Sequence, residues 1–133
     1  KDFGKSLLDM QKHIGVWQDH MKEKIQKLVN EQGALPAKAF PGRAAILIKL
    51  LNLDNNSLSV VYEKPGSMKI GHYLPGTRIP IKSDDELFSL ASSPTTILNL
   101  AWHISTEINQ FLKKKGFIGE IIDIYDPSWL KNH

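Results

Sequence analysis

The segment 73–81 contains two prolines and one glycine, and neither an ordinary helix nor a central strand can accept this combination. Residues 74–77 read Leu-Pro-Gly-Thr and predict a type II turn, because proline presets φ at its second position and glycine supplies the positive φ at its third. Pro80 lacks an N–H for a sheet ladder, so we expect a short edge strand or an extended surface loop after the turn. Rigid surface loops often carry binding residues.

Length and composition point to one compact domain. The chain has 133 residues, of which 41% are hydrophobic and 23% charged, and a second domain would be hard to fit. Its net charge of +3 comes from spread lysines, so we expect neither nucleic acid nor membrane as a partner. The absence of cysteine excludes disulfides, thiolate zinc sites and cysteine nucleophiles from this chain, and it agrees loosely with a cytoplasmic location. No apolar run reaches membrane-spanning length. The chain opens on Lys1 rather than Met, so a fragment is one interpretation.

The first thirty residues predict one long amphipathic helix that Gly33 ends. Because Lys24 interrupts the seam, a helix docked along the domain is favoured over an autonomous coiled coil. We therefore divide the chain into a helix at 1–33 and a domain at 34–133. The apolar residues that recur at three- and four-residue spacing are Phe3, Leu7, Met10, Ile14, Trp17, Met21 and Leu28.

From Leu35 onward, short apolar runs alternate with helical patterns. This order predicts a small Rossmann-like three-layer α/β domain with a mostly parallel sheet. The predicted strands are 35–40, 58–62, 95–100 and 118–125, and the predicted helices are 44–51 (ending near 52–56), 84–90 and 104–115.

Three blocks in a fixed order carry a family resemblance. They are Pro-Gly-Arg at 41–43 before an Ala- and Leu-rich helix, the run 69–81, and 99–104 followed by Glu107. Together they resemble the C-terminal domain of the S-adenosylmethionine-dependent sugar C-methyltransferases, which methylate a carbon of a nucleotide-linked sugar. The resemblance covers about residues 35–125. One departure is Lys38-Ala39-Phe40, where the family usually has tyrosine, glycine and alanine.

The resemblance implies an enzyme of three parts: a zinc-binding domain, a central domain that holds S-adenosylmethionine, and this domain, which helps to hold the nucleotide-sugar. No Gly-x-Gly-x-x-Gly follows any predicted strand, and no cysteine is present for the zinc site. We therefore expect no cofactor and no metal in this chain, and no methyl transfer by it alone. The resemblance implies that the catalytic base belongs to the central domain, so no catalytic residue is expected here. The expected partners are the nucleotide-sugar and the remaining methyltransferase domains, and a homodimer stays open.

An open α/β sheet places a ligand at the carboxyl ends of its strands, here in the loops after Phe40, Tyr62 and Leu100. Arg43, near a helix N-terminus, can bind a diphosphate through a bidentate contact, or it can be a solvated arginine at a helix start. The rings of Tyr73 and Trp102 offer flat faces to a base or a sugar, with core packing as the alternative and the favoured role for Trp102.

Two further groups have alternative roles. The turn 74–77 can present backbone N–H groups and the Thr77 hydroxyl to a substrate, or it can serve as a stiff connection, which we favour. His103 and Glu107, one helical turn apart, resemble an acid–base pair or half a metal site, although a hydrogen bond between a helical carboxylate and a histidine is commoner. The candidate substrate contacts are Pro41, Gly42, Arg43, Tyr73, Leu74, Pro75, Gly76, Thr77, Trp102, His103 and Glu107.

Two functions of different classes follow. The first is the substrate-binding domain of a C-methyltransferase. The second is a free-standing interaction module of the same fold that associates through its first helix. Burial of Met10, Ile14 and Trp17 against residues 35–125 would place the helix in the core, whereas an open stripe would indicate a partner.

Overall fold

A computed structural model describes the backbone of residues 3–90 and 93–126, and the side chains within these ranges from residue 13 onward. The strands are β1 Leu35–Lys38, β2 Leu58–Glu63, β3 Ile81–Ser83, β4 Thr96–Asn99 and β5 Glu120–Asp123. The helices are α1 Phe3–Gln32, α2 Ala44–Leu50, α3 Asp84–Phe88 and α4 Ser105–Lys114, and a 3₁₀ turn Trp102–Ile104 precedes α4.

The five strands form one parallel sheet in the order β3-β2-β1-β4-β5. From the central β1, the chain first adds β2 and β3 on one side, and then β4 and β5 on the other. The predicted α/β class with a parallel sheet is confirmed. The strand order also creates a topological switch point between β1 and β4, where open parallel sheets have a crevice at their carboxyl edge.

Helices cover both faces of the sheet, as the three-layer prediction requires. One core cluster joins α1 and α2 to the sheet, and it includes Trp17, Ile48 and Val61. The second cluster joins α3 and α4 to the opposite face, and it includes Leu87 and Leu112. Alternate strand residues face opposite sides, so each short strand contributes to both clusters.

Helix α1 lies along the first of these clusters. Trp17, Met21 and Ile25 are four residues apart and are buried on one side of the helix. The indole Nε1 of Trp17 also donates a hydrogen bond to the backbone oxygen of Ile124 at 3.1 Å. Ile14 is 41% exposed. Met10, whose burial would also help to place α1 in the core, lies outside the described side chains.

Glycine and asparagine in the left-handed region end two helices. Gly33 has φ +83° and directly follows α1, as predicted. Helix α2 ends at Leu50, slightly before the predicted end at 52–56. There Asn52 has φ +53°, and the N–H of Leu53 donates to the oxygen of Ile48 at 3.0 Å. This six-to-one bond is a Schellman closure, and it stops the helix after two turns.

The turn at 74–77 has the predicted geometry. The N–H of Thr77 donates to the oxygen of Leu74 at 3.0 Å, and Gly76 has φ +76°. The three-residue edge strand β3 follows the proline, as expected. The segment lies on the surface, since Tyr73, Pro75, Gly76 and Arg78 are exposed, whereas Leu74 and Ile79 are fully buried in the first core cluster. The segment is thus anchored from below by two apolar side chains.

Candidate functional site

The loops after β1, β4 and β5 meet at the carboxyl edge of the sheet. The N–H of Leu100 donates to the oxygen of Lys38 at 3.1 Å, and the N–H of Ile124 donates to the oxygen of Asn99 at 3.0 Å. These bonds extend the ladder one residue beyond the strand ends and hold the loops together. The loop after β1 and the loop after β4 therefore border the switch-point crevice.

The chain bends sharply after β1. Ala39 has φ +68°, a left-handed conformation that residues with a Cβ rarely adopt, and its N–H donates to the oxygen of Tyr62 at 2.7 Å. The N–H of the next residue, Phe40, donates to a carboxylate oxygen of Glu63. The Nζ of Lys69 donates to the oxygen of Phe40. Sequence reasoning assigned no role to Glu63 or Lys69, although a glutamate at the end of an apolar strand was a usable signal.

Arg43 follows this bend as the N-cap residue of α2. The turn before it is closed by hydrogen bonds from Ala44 N–H to Pro41 oxygen at 2.9 Å and from Ala45 N–H to Gly42 oxygen at 3.2 Å. The Arg43 side chain is exposed and has no hydrogen bond or ion pair with any described residue. Because α2 has only seven residues, the predicted help from a helix dipole is small, and the guanidinium itself is the available anion-binding group.

A buried ion pair lies at the carboxyl end of β1. Lys38 Nζ is 2.9 Å from Asp84 Oδ2, and the two residues are only 4% and 2% exposed. The ammonium also lies 5.3 Å from the ring centroid of Phe111. Asp84 Oδ1 has no hydrogen-bond partner in the described part of the chain. Since Lys38 is neutralised internally, its role is to join β1 to the start of α3, and sequence reasoning missed the pair.

A polar network fixes the loop after β4. Asn99 Nδ2 donates to Asp123 Oδ1 at 2.9 Å, and the Ser105 hydroxyl donates to the other carboxylate oxygen at 2.7 Å. Asn99 Oδ1 accepts the N–H of Ala101 at 3.0 Å. These bonds join β4, β5 and α4, so they set where the 3₁₀ turn with Trp102 begins.

Trp102 lies in an aromatic group at the same edge. Its ring centroid is 5.0 Å from that of Tyr125, which in turn is 5.7 Å from that of Trp17, both in edge-to-face geometry. Trp102 is half-buried against the first core cluster, and its Nε1 has no hydrogen-bond partner among the described residues. The group borders an open apolar groove of about 260 Å³, lined by His13, Ile14, Trp17, Ile46, Leu47, Leu50, Trp102 and Tyr125.

His103 and Glu107 are exposed near the start of α4. The His103 ring packs edge-to-face on Trp102, with centroids 5.9 Å apart. No hydrogen bond or ion pair joins His103 to Glu107, and neither has one with another described residue. Within residues 13–90 and 93–126, no group of three His, Cys, Asp or Glu side chains could hold a metal ion. The geometry thus presents two separate polar groups here.

The turn at 74–77 lies at the amino edge of the sheet, where the strands begin. Gly76 and Thr77 share a surface depression with Asp54 and Asn55, which precede the amino end of β2. The Thr77 hydroxyl is already engaged, because it donates to Leu74 oxygen at 2.9 Å and accepts from Ile79 N–H at 3.0 Å. The structure therefore does not bring this turn together with Arg43 and Trp102.

Tyr73, just before that turn, is 56% exposed and forms an isolated antiparallel bridge with Pro80. Gly71 and His72 pair with Ile81, the first residue of β3, so this segment runs antiparallel to the edge strand at its amino end. Pro75 is exposed at the tip of the turn.

The described helices include none long and apolar enough to cross a bilayer.

A parallel sheet with helices on both faces and a change of winding direction at β1 defines a Rossmann-like α/β domain. The family model of the C-methyltransferase C-terminal domain matches residues 4–121. The chain belongs to that family, and the resemblance noted from the motifs is confirmed. The match covers α1 from its second residue and the strands β1 to β4, and it ends within β5. A search of curated proteins finds no significant match.

Proposed function

We propose that this chain is the substrate-binding domain of an S-adenosylmethionine-dependent C-methyltransferase and holds a nucleotide-linked sugar at the carboxyl edge of its sheet. The methyl donor and the catalytic base belong to other domains of the enzyme in this proposal. The family membership supports the methyltransferase context, and the geometry of the carboxyl edge supports the substrate class.

The observation that carries the proposal is the position of Arg43. Its guanidinium is exposed, has no hydrogen bond or ion pair with a described residue, and belongs to the N-cap residue of α2, the helix that follows β1 at the switch point. A planar guanidinium can bind a diphosphate through two parallel N–H···O bonds. Lys38 offers no comparable charge, because it is paired with Asp84 and buried.

The other predicted contacts fall into two groups, one at the carboxyl edge of the sheet and one at the amino edge. Pro41 and Gly42 shape the turn that carries Arg43, and the rings of Trp102 and His103 border the same crevice edge, where a nucleobase or sugar can pack. In this proposal the exposed Glu107 carboxylate is a hydrogen-bond acceptor for the sugar and makes no contact with the anionic diphosphate. The group from Tyr73 to Thr77 is assigned a structural role, since it lies at the amino edge.

The residues after β1 do not fit a bound S-adenosylmethionine. A cofactor at the first strand-to-helix turn needs a glycine-rich backbone that the ligand can approach closely. Here that turn reads Ala-Phe-Pro-Gly-Arg, Phe40 is buried within it, and Lys69 covers the Phe40 oxygen. No step is therefore assigned to this cofactor in the present chain.

Replacing Arg43 tests the proposal. We expect Arg43→Ala to weaken binding of a nucleoside diphosphate sugar by about 1–3 kcal/mol, because a charge-assisted bidentate contact is lost. Isothermal titration calorimetry with UDP-glucose, dTDP-glucose and GDP-mannose measures this loss. Arg78→Ala is the matched control, since Arg78 is also exposed but lies at the amino edge, and we expect the affinity of this variant to be unchanged.

The outcomes separate clearly. Saturable binding that depends on Arg43 and not on Arg78 supports the carboxyl-edge site. Equal losses in both variants would indicate attraction by net charge alone and would contradict a built site. Saturable binding of S-adenosylhomocysteine would contradict the assignment of the cofactor to another domain.

A second candidate function is an interaction module. The burial of Trp17, Met21 and Ile25 argues against association through that stripe of α1. What favours association is the apolar groove, beside which Ile14 is 41% and Ile46 is 68% exposed. Sedimentation velocity of the wild-type chain and of Ile46→Glu tests self-association: a dimer that the charge dissociates supports this candidate, and a monomer in both removes it.

A further inference from the structure

Two charged side chains hold the backbone of Phe40 from both sides. Glu63, at the end of β2, accepts the Phe40 N–H, and Lys69, in the connection between β2 and β3, donates to the Phe40 oxygen. The Lys69 ammonium also lies 5.7 Å from the Phe40 ring centroid. One residue is therefore held through its N–H, its carbonyl and its ring by parts of the chain 23 and 29 residues away.

The held residue follows a strained one. Ala39 has φ +68°, which only glycine adopts without a steric cost from its Cβ. Such a conformation persists where the surrounding structure over-determines it. Three hydrogen bonds hold Ala39 in this conformation. One runs from the Ala39 N–H to the Tyr62 oxygen, and the other two are the bonds of Glu63 and Lys69 to Phe40. They keep the chain bent away from the sheet and into the turn that leads to Arg43.

We propose that Lys69 and Glu63 are positioning residues for Arg43: together they fix the bend at Ala39–Phe40, and so aim the guanidinium at the crevice. This inference rests on the proposed function. Phe40 precedes Arg43 by three residues, and the intervening turn is closed by hydrogen bonds from Ala44 and Ala45. The position of Phe40 thus sets the orientation of Arg43. The connection between β2 and β3 acquires a role at the carboxyl edge, although its proline turn lies at the other edge.

The physical consequence concerns preorganisation. A bidentate contact with a diphosphate depends on the direction of the guanidinium plane, so an Arg43 on a loosened bend must be ordered when the ligand binds. We call the bonds of Glu63 and Lys69 to the backbone of Phe40 the clamp. Loss of either bond should lower the affinity for the diphosphate without removing the Arg43 guanidinium that binds it.

Amide hydrogen exchange of the free chain, followed by NMR, tests the clamp directly. We expect Lys69→Met, which keeps the aliphatic stem, to accelerate exchange of the Phe40 and Ala44 amides by about tenfold, because one charge-assisted hydrogen bond is lost. The core amide of Val61 should keep its rate. Lys64→Met is the control, since Lys64 is an exposed lysine of the same connection without a side-chain bond to a described residue.

Rescue separates the hydrogen bond from general loop stability. Lys69→Arg retains a donor and should restore slow exchange, whereas Glu63→Gln retains an acceptor and should give an intermediate rate. If exchange at Phe40 and Ala44 is unchanged in Lys69→Met, the clamp does not exist as inferred. If the amide of Val61 accelerates equally, Lys69 stabilises the whole domain rather than the bend, and the positioning role is overturned.

Binding measurements then test whether Lys69 acts through Arg43. With UDP-glucose, dTDP-glucose, GDP-mannose and inorganic pyrophosphate as probes, Lys69→Met should weaken binding by about tenfold in the wild-type background and have no further effect in Arg43→Ala. Equal losses in both backgrounds would make Lys69 a direct phosphate contact and would overturn the inference. If no probe binds to the wild-type chain, the proposed function fails, while the exchange rates still decide the clamp.

Discussion

At the scale of single residues, the interior of this domain contains charges that hold chain segments together. Lys38 of β1 and Asp84 of α3 form a buried ion pair, and the Glu63 carboxylate accepts a hydrogen bond from the backbone N–H of Phe40. Buried charges are tolerated only when they are paired or hydrogen-bonded, so each of these residues depends on its partner. The exposed Arg43 differs, because its guanidinium forms no hydrogen bond or ion pair with a described residue.

We expect Lys38→Met to lower the free energy of unfolding by about 3–5 kcal/mol, because Asp84 would stay buried with an uncompensated charge. Urea denaturation measures the change. Lys82→Met, which replaces an exposed lysine on the edge strand β3, should lie within about 0.5 kcal/mol of the wild type. Adding Asp84→Leu to Lys38→Met should recover most of the loss, and a double variant as unstable as the single one would contradict the explanation.

Tyr62 makes stability depend on alkaline pH. Burial raises the pKa of its phenol above the ordinary value, and the Glu86 carboxylate raises it further. The folded chain therefore keeps this proton at a pH where the unfolded chain releases it. The associated stability is fully present below about pH 10 and is lost as pH rises through the folded pKa.

We expect the free energy of unfolding of Tyr62→Phe to fall less steeply than that of the wild type above about pH 10. Urea titrations between neutral and strongly alkaline pH give the comparison. Tyr73→Phe, at an exposed position, is the control and should follow the wild type. Parallel curves for the wild type and Tyr62→Phe would show that this phenol does not contribute.

At the scale of elements, turn chemistry decides where each helix and strand stops. The Schellman closure at Asn52 limits α2 to seven residues, and the turn at 74–77 reverses the long connection between β2 and β3. Lys69 near the beginning of this connection holds the bend at Phe40, whereas its turn lies beside Asp54 at the other edge. One connection thus touches both edges of the sheet.

Two glycines allow a matched test of the turn. An added Cβ has open space at both Gly76 and Gly42, but only Gly76 has a positive φ, at +76°. We expect Gly76→Ala to lower the free energy of unfolding by about 1–2 kcal/mol through backbone strain. Gly42→Ala should leave it unchanged or raise it by up to about 1 kcal/mol. Thermal or urea denaturation measures both, and equal effects would contradict the strain argument.

At the scale of the whole molecule, α1 is integrated with the sheet that follows it. Trp17 shares a core cluster with β1, α2 and the end of β5, and its indole bonds to Ile124, 107 residues later. The family model also extends from residue 4 across α1 and the sheet. We therefore expect one cooperative unfolding transition for the chain.

We expect Trp17→Ala to destabilise the whole domain by about 3–5 kcal/mol, because a large buried side chain and a buried hydrogen bond are lost together. Far-UV circular dichroism and amide exchange in β4 should report the same loss. Val16→Ala, next to it on the exposed side of α1, is the control and should change stability little. If only helix signals melt early while β4 stays protected, α1 is a separate unit.

The sequence by itself determined the elements and the family. The heptad-like spacing predicted α1, the Leu-Pro-Gly-Thr run predicted a type II turn, and the alternation of strands and helices predicted a parallel α/β sheet. These features follow from neighbouring residues, because periodicity, φ preferences and hydrogen-bonding side chains act over a few positions. The ordered motifs likewise indicated the C-methyltransferase C-terminal domain family.

Only the tertiary structure decided which of these segments share an edge. It placed the turn at 74–77 away from Arg43, paired Lys38 with Asp84 across 46 residues, and brought Glu63 and Lys69 to the backbone of Phe40. Such meetings depend on strand order and on which face each crossover covers, and these are set by burial of the two apolar faces of the sheet as a whole. A local pattern does not contain that information, since the partners are separated by whole elements.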